Sequence, residues 1–131
     1  MPTITDITAT SGSKTVTFKP HSVETGCAKW VDRSAGVAVG YNPLTITTES
    51  LSQVRRTKIA IRQNYLALPA TADGSGFTPS PRLDRFDEVE VIFKCNRRSN
   101  EVNRTDLLAF CKSVLDDASV VAIVVGEEEV L

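Results

Sequence analysis

Residues 41–69 leave this chain few ways to fold. Leu44, Ile46 and Thr48 alternate with Thr45, Thr47 and Glu49, and Ile59 and Ile61 alternate with Lys58, Ala60 and Arg62. Alternation with period two puts successive side chains on opposite faces of an extended strand. Two such runs joined by the short polar link 51–56 predict an antiparallel hairpin with one wet face. One strand offers hydroxyls to that face, and the other offers guanidinium and ammonium groups. Such a plane can seat a phosphate backbone. The same residues also describe an ordinary solvated sheet face.

The flanking segments extend the sheet. Ile4 and Ile7 stand in a threonine-rich run, Ser11-Gly12-Ser13 has turn chemistry, and Thr15-Val16-Thr17-Phe18 alternates again. This predicts an amino-terminal hairpin, with Pro20 stopping its second strand and residues 21–26 forming a loop. Residues 27–33 predict a further strand around Trp30, followed by a small, glycine-bearing connection. Residues 70–81 hold glycines and prolines without a period, and a long unstructured loop in a small domain is usually functional or disordered. Phe86-Asp-Glu-Val-Glu-Val-Ile-Phe93 then alternates cleanly, with Val89, Val91 and Phe93 on one face and Phe86, Glu88 and Glu90 on the other.

Beyond residue 96 the period changes. Ser99-Asn100-Glu101 offers a cap and an acidic first turn. Leu107, Leu108, Cys111, Val114 and Leu115 repeat at three and four residues, an apolar helical stripe. Asp116 and Asp117 suit the amino cap of a second helix starting near Ala118. The run 120–125 is β-branched, and its propensity alone predicts a strand. Strands followed by helix define an α+β chain, expected to form one domain over residues 1–131. A helix of roughly 16 residues is about 24 Å long. Sheet strands lie about 4.8 Å apart, so one helix cannot cover five of them. A second copy of the chain, most simply in a two-fold dimer, would supply the cover.

Chemistry narrows the function further. With 15 basic and 16 acidic residues the net charge is −1, so any attraction for a polyanion must be local, from clusters such as Arg55, Arg56, Lys58 and Arg62. Three scattered cysteines, Cys27, Cys95 and Cys111, fit neither a disulfide scaffold nor a zinc site and suit a reducing compartment. No cofactor or metal is expected. A Cys27–His21 nucleophile pair is conceivable, but nothing in the sequence orients the base. The amino terminus has no signal-peptide character, and no apolar run approaches the ~20 residues that span a bilayer. The expectation is a non-enzyme without membrane contact.

Gly26-Cys-Ala-Lys-Trp-Val, the 41–69 hairpin with its Gln53-Val-Arg-Arg link, Glu88-Val-Glu-Val-Ile-Phe and the helical end follow one another in a familiar order and spacing. Over essentially its whole length the chain resembles the coat proteins of single-stranded RNA bacteriophages, the leviviruses. The resemblance implies an amino-terminal β-hairpin, a five-stranded antiparallel sheet and two carboxy-terminal helices that pack on the partner subunit's sheet in an interlocked homodimer. It makes residues 120–125 helical. It assigns residues 70–85 to a loop that gathers at symmetry axes. It implies a small icosahedral shell (T=3 in the family), assembly in the bacterial host cytoplasm, and residence in the virion.

The inner sheet face would bind genomic RNA, in several relatives a hairpin whose capture represses translation of the replicase. Carried over residue by residue, Thr45 and Thr47 match hydroxyl contacts, and Lys58 and Arg62 match polar contacts. Phe86 matches an aromatic that stacks on a base, and Glu88 an Asn or Asp. Glu49 stands where some relatives have a basic residue, and Ala60 where a lysine is common. Counting back from Pro69 instead would bring Gln63 and Tyr65 to the RNA face, because a one-residue slip swaps faces. The other reading is a dimeric cytosolic RNA-binding protein that never assembles.

Overall fold

The computed structural model describes residues 4–36, 38–67 and 82–127. The chain forms two compact units, Met1–Lys94 and Cys95–Leu131. The first holds an antiparallel sheet built from β1 (Ile7–Ser11), β2 (Lys14–Glu24), β3 (Cys27–Asp32), β4 (Asn42–Ser50), β5 (Val54–Leu66) and β6 (Leu83–Asn96), in which chain order is also spatial order.

The hairpin and the sheet share a strand. Residues 14–18 of β2 pair with β1, ending at Ile7 opposite Phe18, and residues 19–24 pair with β3, starting at Lys19 opposite Val31. Six strands therefore do the work of the seven expected from a separate hairpin and a five-stranded sheet. Pro20 does not stop β2, and residues 21–24 are strand rather than loop. A shift in register between Pro20 and Ser22 leaves His21 as the extra residue of a bulge. A bulge is one of the few places where a strand tolerates a residue lacking its N–H.

The change of partner lets the hairpin curl over the sheet's apolar face. Phe18, Trp30 and Leu44 are buried there, with Ile4, Ile7, Val16, Ala28, Ile46 and Ile59 packed around them. Trp30 Nε1 donates to the Thr5 carbonyl at 2.9 Å, so the indole anchors the chain ahead of β1. Gly26, at φ 77°, turns β2 into β3, and a Cβ there would come within 3.1 Å of the Thr48 carbonyl oxygen. The position needs glycine on both counts.

A buried polar network ties the ends of three strands together. Asp32 is 3 % exposed. Its carboxylate accepts from Ser34 N at 3.0 Å, Ser34 Oγ at 3.0 Å and Asn42 Nδ2 at 3.3 Å. Asn42 Oδ1 accepts from Asn64 N at 2.8 Å, and Asn64 Nδ2 donates to the Tyr41 carbonyl at 2.7 Å. A buried carboxylate is tolerable only with such partners. The network sets the relative positions of β3, β4 and β5 beside the polar face.

The second unit holds α1 (Glu101–Asp116) and α2 (Ala118–Gly126). Asn100 starts α1 through reciprocal bonds with Asn103: Asn103 N donates to Asn100 Oδ1 at 2.9 Å, and Asn100 N donates to Asn103 Oδ1 at 3.1 Å. Asp117 is both the carboxy cap of α1 and the amino cap of α2, where its side chain accepts from Ser119 N at 2.9 Å. Residues 120–125 are thus helical, against their strand propensity and in line with the family resemblance. The helix penalty of a β-branched residue is below about 0.7 kcal/mol, so the five of them in this run together outweigh the roughly 1 kcal/mol of one cap, and the helix depends on more than its cap. Neither helix buries a residue in the single chain. The loop expected at 70–81 lies outside the described residues, and 83–85, expected with it, begin β6.

Candidate nucleic-acid interface

The face of the sheet away from the Phe18–Trp30–Leu44 core gathers all seven residues singled out in the sequence. Thr45 stands between Lys29 on β3 and Ala60 on β5, and Thr47 between Cys27 and Lys58. Directly opposed residues of neighbouring strands share a face. Glu49 opposes Arg56 at the far end of the same row. Contacts from β5 to β6 complete the face: Lys58 Nζ lies 3.2 Å from Glu90 Oε1, Arg62 Nη2 lies 3.9 Å from Glu88 Oε1, and the Arg62 guanidinium sits 4.1 Å from the centre of the Phe86 ring.

The register after Arg62 is regular. Tyr65 lies under the Arg85 guanidinium, 4.6 Å from its ring centre, and bonds to Asp87. Gln63 follows Arg62 within the continuous strand β5 and so takes the other face. Both side chains belong to the face opposite Arg62 and Phe86, so the alternative count from Pro69 does not hold. The Tyr65 phenol donates to the Asp87 carboxylate, and this bond, with lesser help from desolvation and the Asp87 charge, raises its pKa above the ordinary tyrosine value.

Electrostatically the face is a ladder of crossed pairs. Arg56 pairs with Glu49, Lys58 with Glu90 and Arg62 with Glu88. All six side chains remain substantially open to solvent, where such pairs contribute little to stability. They do cancel much of one another's field. Glu49 and Ala60, the two departures from the family pattern, fit this balance: Glu49 answers Arg56, and Ala60 leaves open a hollow of about 240 Å³ lined by Lys29, Pro43, Thr45, Arg62 and Glu88.

Reading the sequence missed a second hollow, of about 320 Å³, beside the first. His21, Lys29, Arg33, Tyr41, Arg62 and Asn64 are among its walls. Lys29 could have been found, because it alternates with Trp30. His21 could not, because it faces this hollow only through the bulge. Arg33 Nη2 lies 3.5 Å from His21 Nδ1. Cys27 instead has Thr47 Oγ1 4.0 Å from its sulfur and lines a different hollow, so the structure does not join thiol and imidazole. No group of metal-binding side chains occurs among the described residues. Among the described residues no helix is long and apolar enough to cross a membrane.

The polar sheet face is backed by a small core and followed by two helices that bury no residue in the single chain. The levivirus coat protein family model matches residues 2–130, and the chain belongs to that family. It is accordingly a viral coat protein and not an enzyme.

Solved structures repeat the fold. The virus-like particle of bacteriophage ESE058 superposes with a TM-score of 0.90 at 20% identity, over 99% of this chain and 100% of that one. The virus-like particle of bacteriophage NT-214 gives 0.86 at 21% identity, over 99% and 100%. The capsid protein of bacteriophage GA gives 0.73 at 13% identity, over 93% and 94%. No curated protein sequence matches the chain.

Proposed function

We propose that this protein is the shell subunit of an RNA phage. It acts as a single coat domain over residues 1–131, pairs with a second copy, and closes as dimers into a small icosahedral shell around single-stranded RNA. The observation that carries the reading is the uncovered apolar surface of the helical unit. Phe110 is 66 % exposed, Val114 56 %, Val124 70 % and Val125 78 % in the single chain. Surfaces of this kind mark association sites. On β6, Val89 is 58 % exposed and also wants cover. In an interlocked dimer each subunit's helices would lie on its partner's sheet. The similar folds seen as virus-like particles support the same reading.

The polar face would then line the interior of the virion, with assembly in the host cytoplasm. Thr45 and Thr47 would donate to phosphate or ribose oxygens, and Lys58 and Arg62, each held by its carboxylate partner, would make polar contacts to the strand. Phe86, already stacked on Arg62, would take a base, a contact worth roughly 1–3 kcal/mol. Glu49 and Glu88 would hold the cations in place rather than touch RNA. Capture of a replicase hairpin would be a specialised use of the same face.

Electron microscopy of the purified protein tests the shell, which should appear as closed particles tens of nanometres across. A clean dimer at high concentration would favour the non-assembling RNA-binding protein. Filter binding tests the face: Arg62→Ala should weaken RNA binding roughly tenfold, within the range of one stacked contact, while particles still form. Unchanged affinity would count against the RNA role of the ladder.

A further inference from the structure

We propose that a backbone phosphate of single-stranded RNA is held in the hollow beneath the β2 bulge, by Lys29 and Arg33 with His21 at the rim, and not by the cations of the ladder. The proposal rests on the reading that this face binds RNA, and it says where the charge contact falls. Arg56, Lys58 and Arg62 each have a carboxylate partner on the same face. A phosphate approaching them must first displace Glu49, Glu90 or Glu88 and then sit beside the displaced charge. Lys29 and Arg33 have no carboxylate within ion-pairing distance among the described residues, and no acidic side chain lines their hollow. These two cations of the face are thus left without a paired carboxylate, and local field rather than net charge attracts a polyanion.

The geometry is built by the bulge. Pro20 opposes Trp30 and Ser22 opposes Lys29, so His21 has no partner on β3. A bulge re-aims the side chain it carries, and here it brings the imidazole to Arg33, 3.5 Å away. Arg33 and Lys29 line the same hollow. Behind them Asn64 is fixed by its bond to the Tyr41 carbonyl. At about 320 Å³ the hollow is at the lower limit of small-molecule pockets. That suits a phosphate with part of its sugar rather than a protein segment. Lys29 and Arg62 also wall the neighbouring hollow that holds Thr45. A strand with its phosphate in one hollow therefore continues directly toward Thr45 and Phe86.

Salt dependence separates this site from the ladder. The affinity of the unassembled protein, whose polar face is open to solvent, for a fluorescent oligouridylate is measured against chloride concentration for wild type, Lys29→Gln/Arg33→Gln and Arg56→Gln/Lys58→Gln. The two double variants lose equal charge, and size-exclusion chromatography reports whether each still assembles. Each phosphate contact on a single strand contributes about 0.7 to the slope of log affinity against log salt. The first variant should flatten the slope by about 0.7, the share of the single phosphate it releases, and lose roughly tenfold in affinity near physiological salt, and the second should change the slope far less. The charge-keeping pair Lys29→Arg/Arg33→Lys, which keeps both cations, should retain the wild-type slope.

Equal flattening by both glutamine variants, or a wild-type slope in the first, would overturn the subsite while leaving RNA binding intact. A wild-type protein that binds no oligouridylate would overturn the RNA reading and the subsite with it. Inorganic phosphate that competes beyond chloride at matched ionic strength, and loses that advantage in the first variant, would make the hollow a free-anion site and overturn its assignment to the RNA backbone.

Discussion

Strands β1 to β4 and the helical unit solve the burial problem in opposite ways. In the first region the chain closes on itself: Trp30 is 6 % exposed and Leu44 5 %, under a hairpin formed by the same subunit. In the second, α1 and α2 are well capped and bury nothing in the single chain. Strand β6 lies between these extremes, with polar residues on one face and Val89 more than half exposed on the other. The contrast separates two levels of folding. One region builds its core from this chain, and the other has its secondary structure fixed locally while its apolar residues stay exposed in the single chain.

Substitutions can break that contrast. The largest effect is expected at Trp30, where replacement by alanine removes the centre of the self-made core and the anchor on the Thr5 carbonyl. It should cost about 3–5 kcal/mol in denaturant unfolding. A loss below 1 kcal/mol would mean that the first region also depends on a partner. Next comes Phe110→Asp. It touches no buried core in the single chain, so helicity by circular dichroism should persist while association fails, at a cost on the order of 2–4 kcal/mol, as for an aromatic anchor. Wild-type particles from this variant would place the partner surface elsewhere.

Smaller effects sharpen the comparison. Asp117→Ala should destabilise by about 1 kcal/mol, the usual worth of an amino cap, and should lower helicity from the carboxy-terminal end. An unaltered spectrum and unchanged stability would show that packing, not the cap, overrides the strand propensity of 120–125. The smallest effect belongs to Tyr65. Its folded pKa is raised, so the interaction of the neutral phenol with Asp87 is present below the ordinary value of about 10 and is lost as pH rises through the folded value. Alkaline titration followed by phenolate absorbance should find Tyr65 ionising late, and Asp87→Asn should bring it earlier. Identical titration curves would remove Asp87 as the cause.

The sequence made these regions legible to different depths. Alternation in residues 44–49 and 58–62 placed Thr45, Thr47, Glu49, Lys58 and Arg62 on one face, because a strand fixes side-chain direction with period two. The same rule placed Phe86, Glu88 and Glu90 with them. It failed at Pro20, where a bulge absorbed a residue that usually ends a strand, and with it went any sign that His21 meets Arg33. Propensity misled at 120–125, where β-branched side chains spoke for strand while the family resemblance implied the helix that forms. Ion pairing across β5 and β6 was invisible too, since it depends on register between strands separated by a long connection.

Strand β2 has one more consequence. A ribbon that trades neighbours between Phe18 and Lys19 without a break gives the hairpin no joint on which to loosen independently. Amide exchange should therefore show no soft spot between Phe18 and Lys19, with the unpaired His21 of the bulge as the faster site, and heating should release hairpin and sheet in one step.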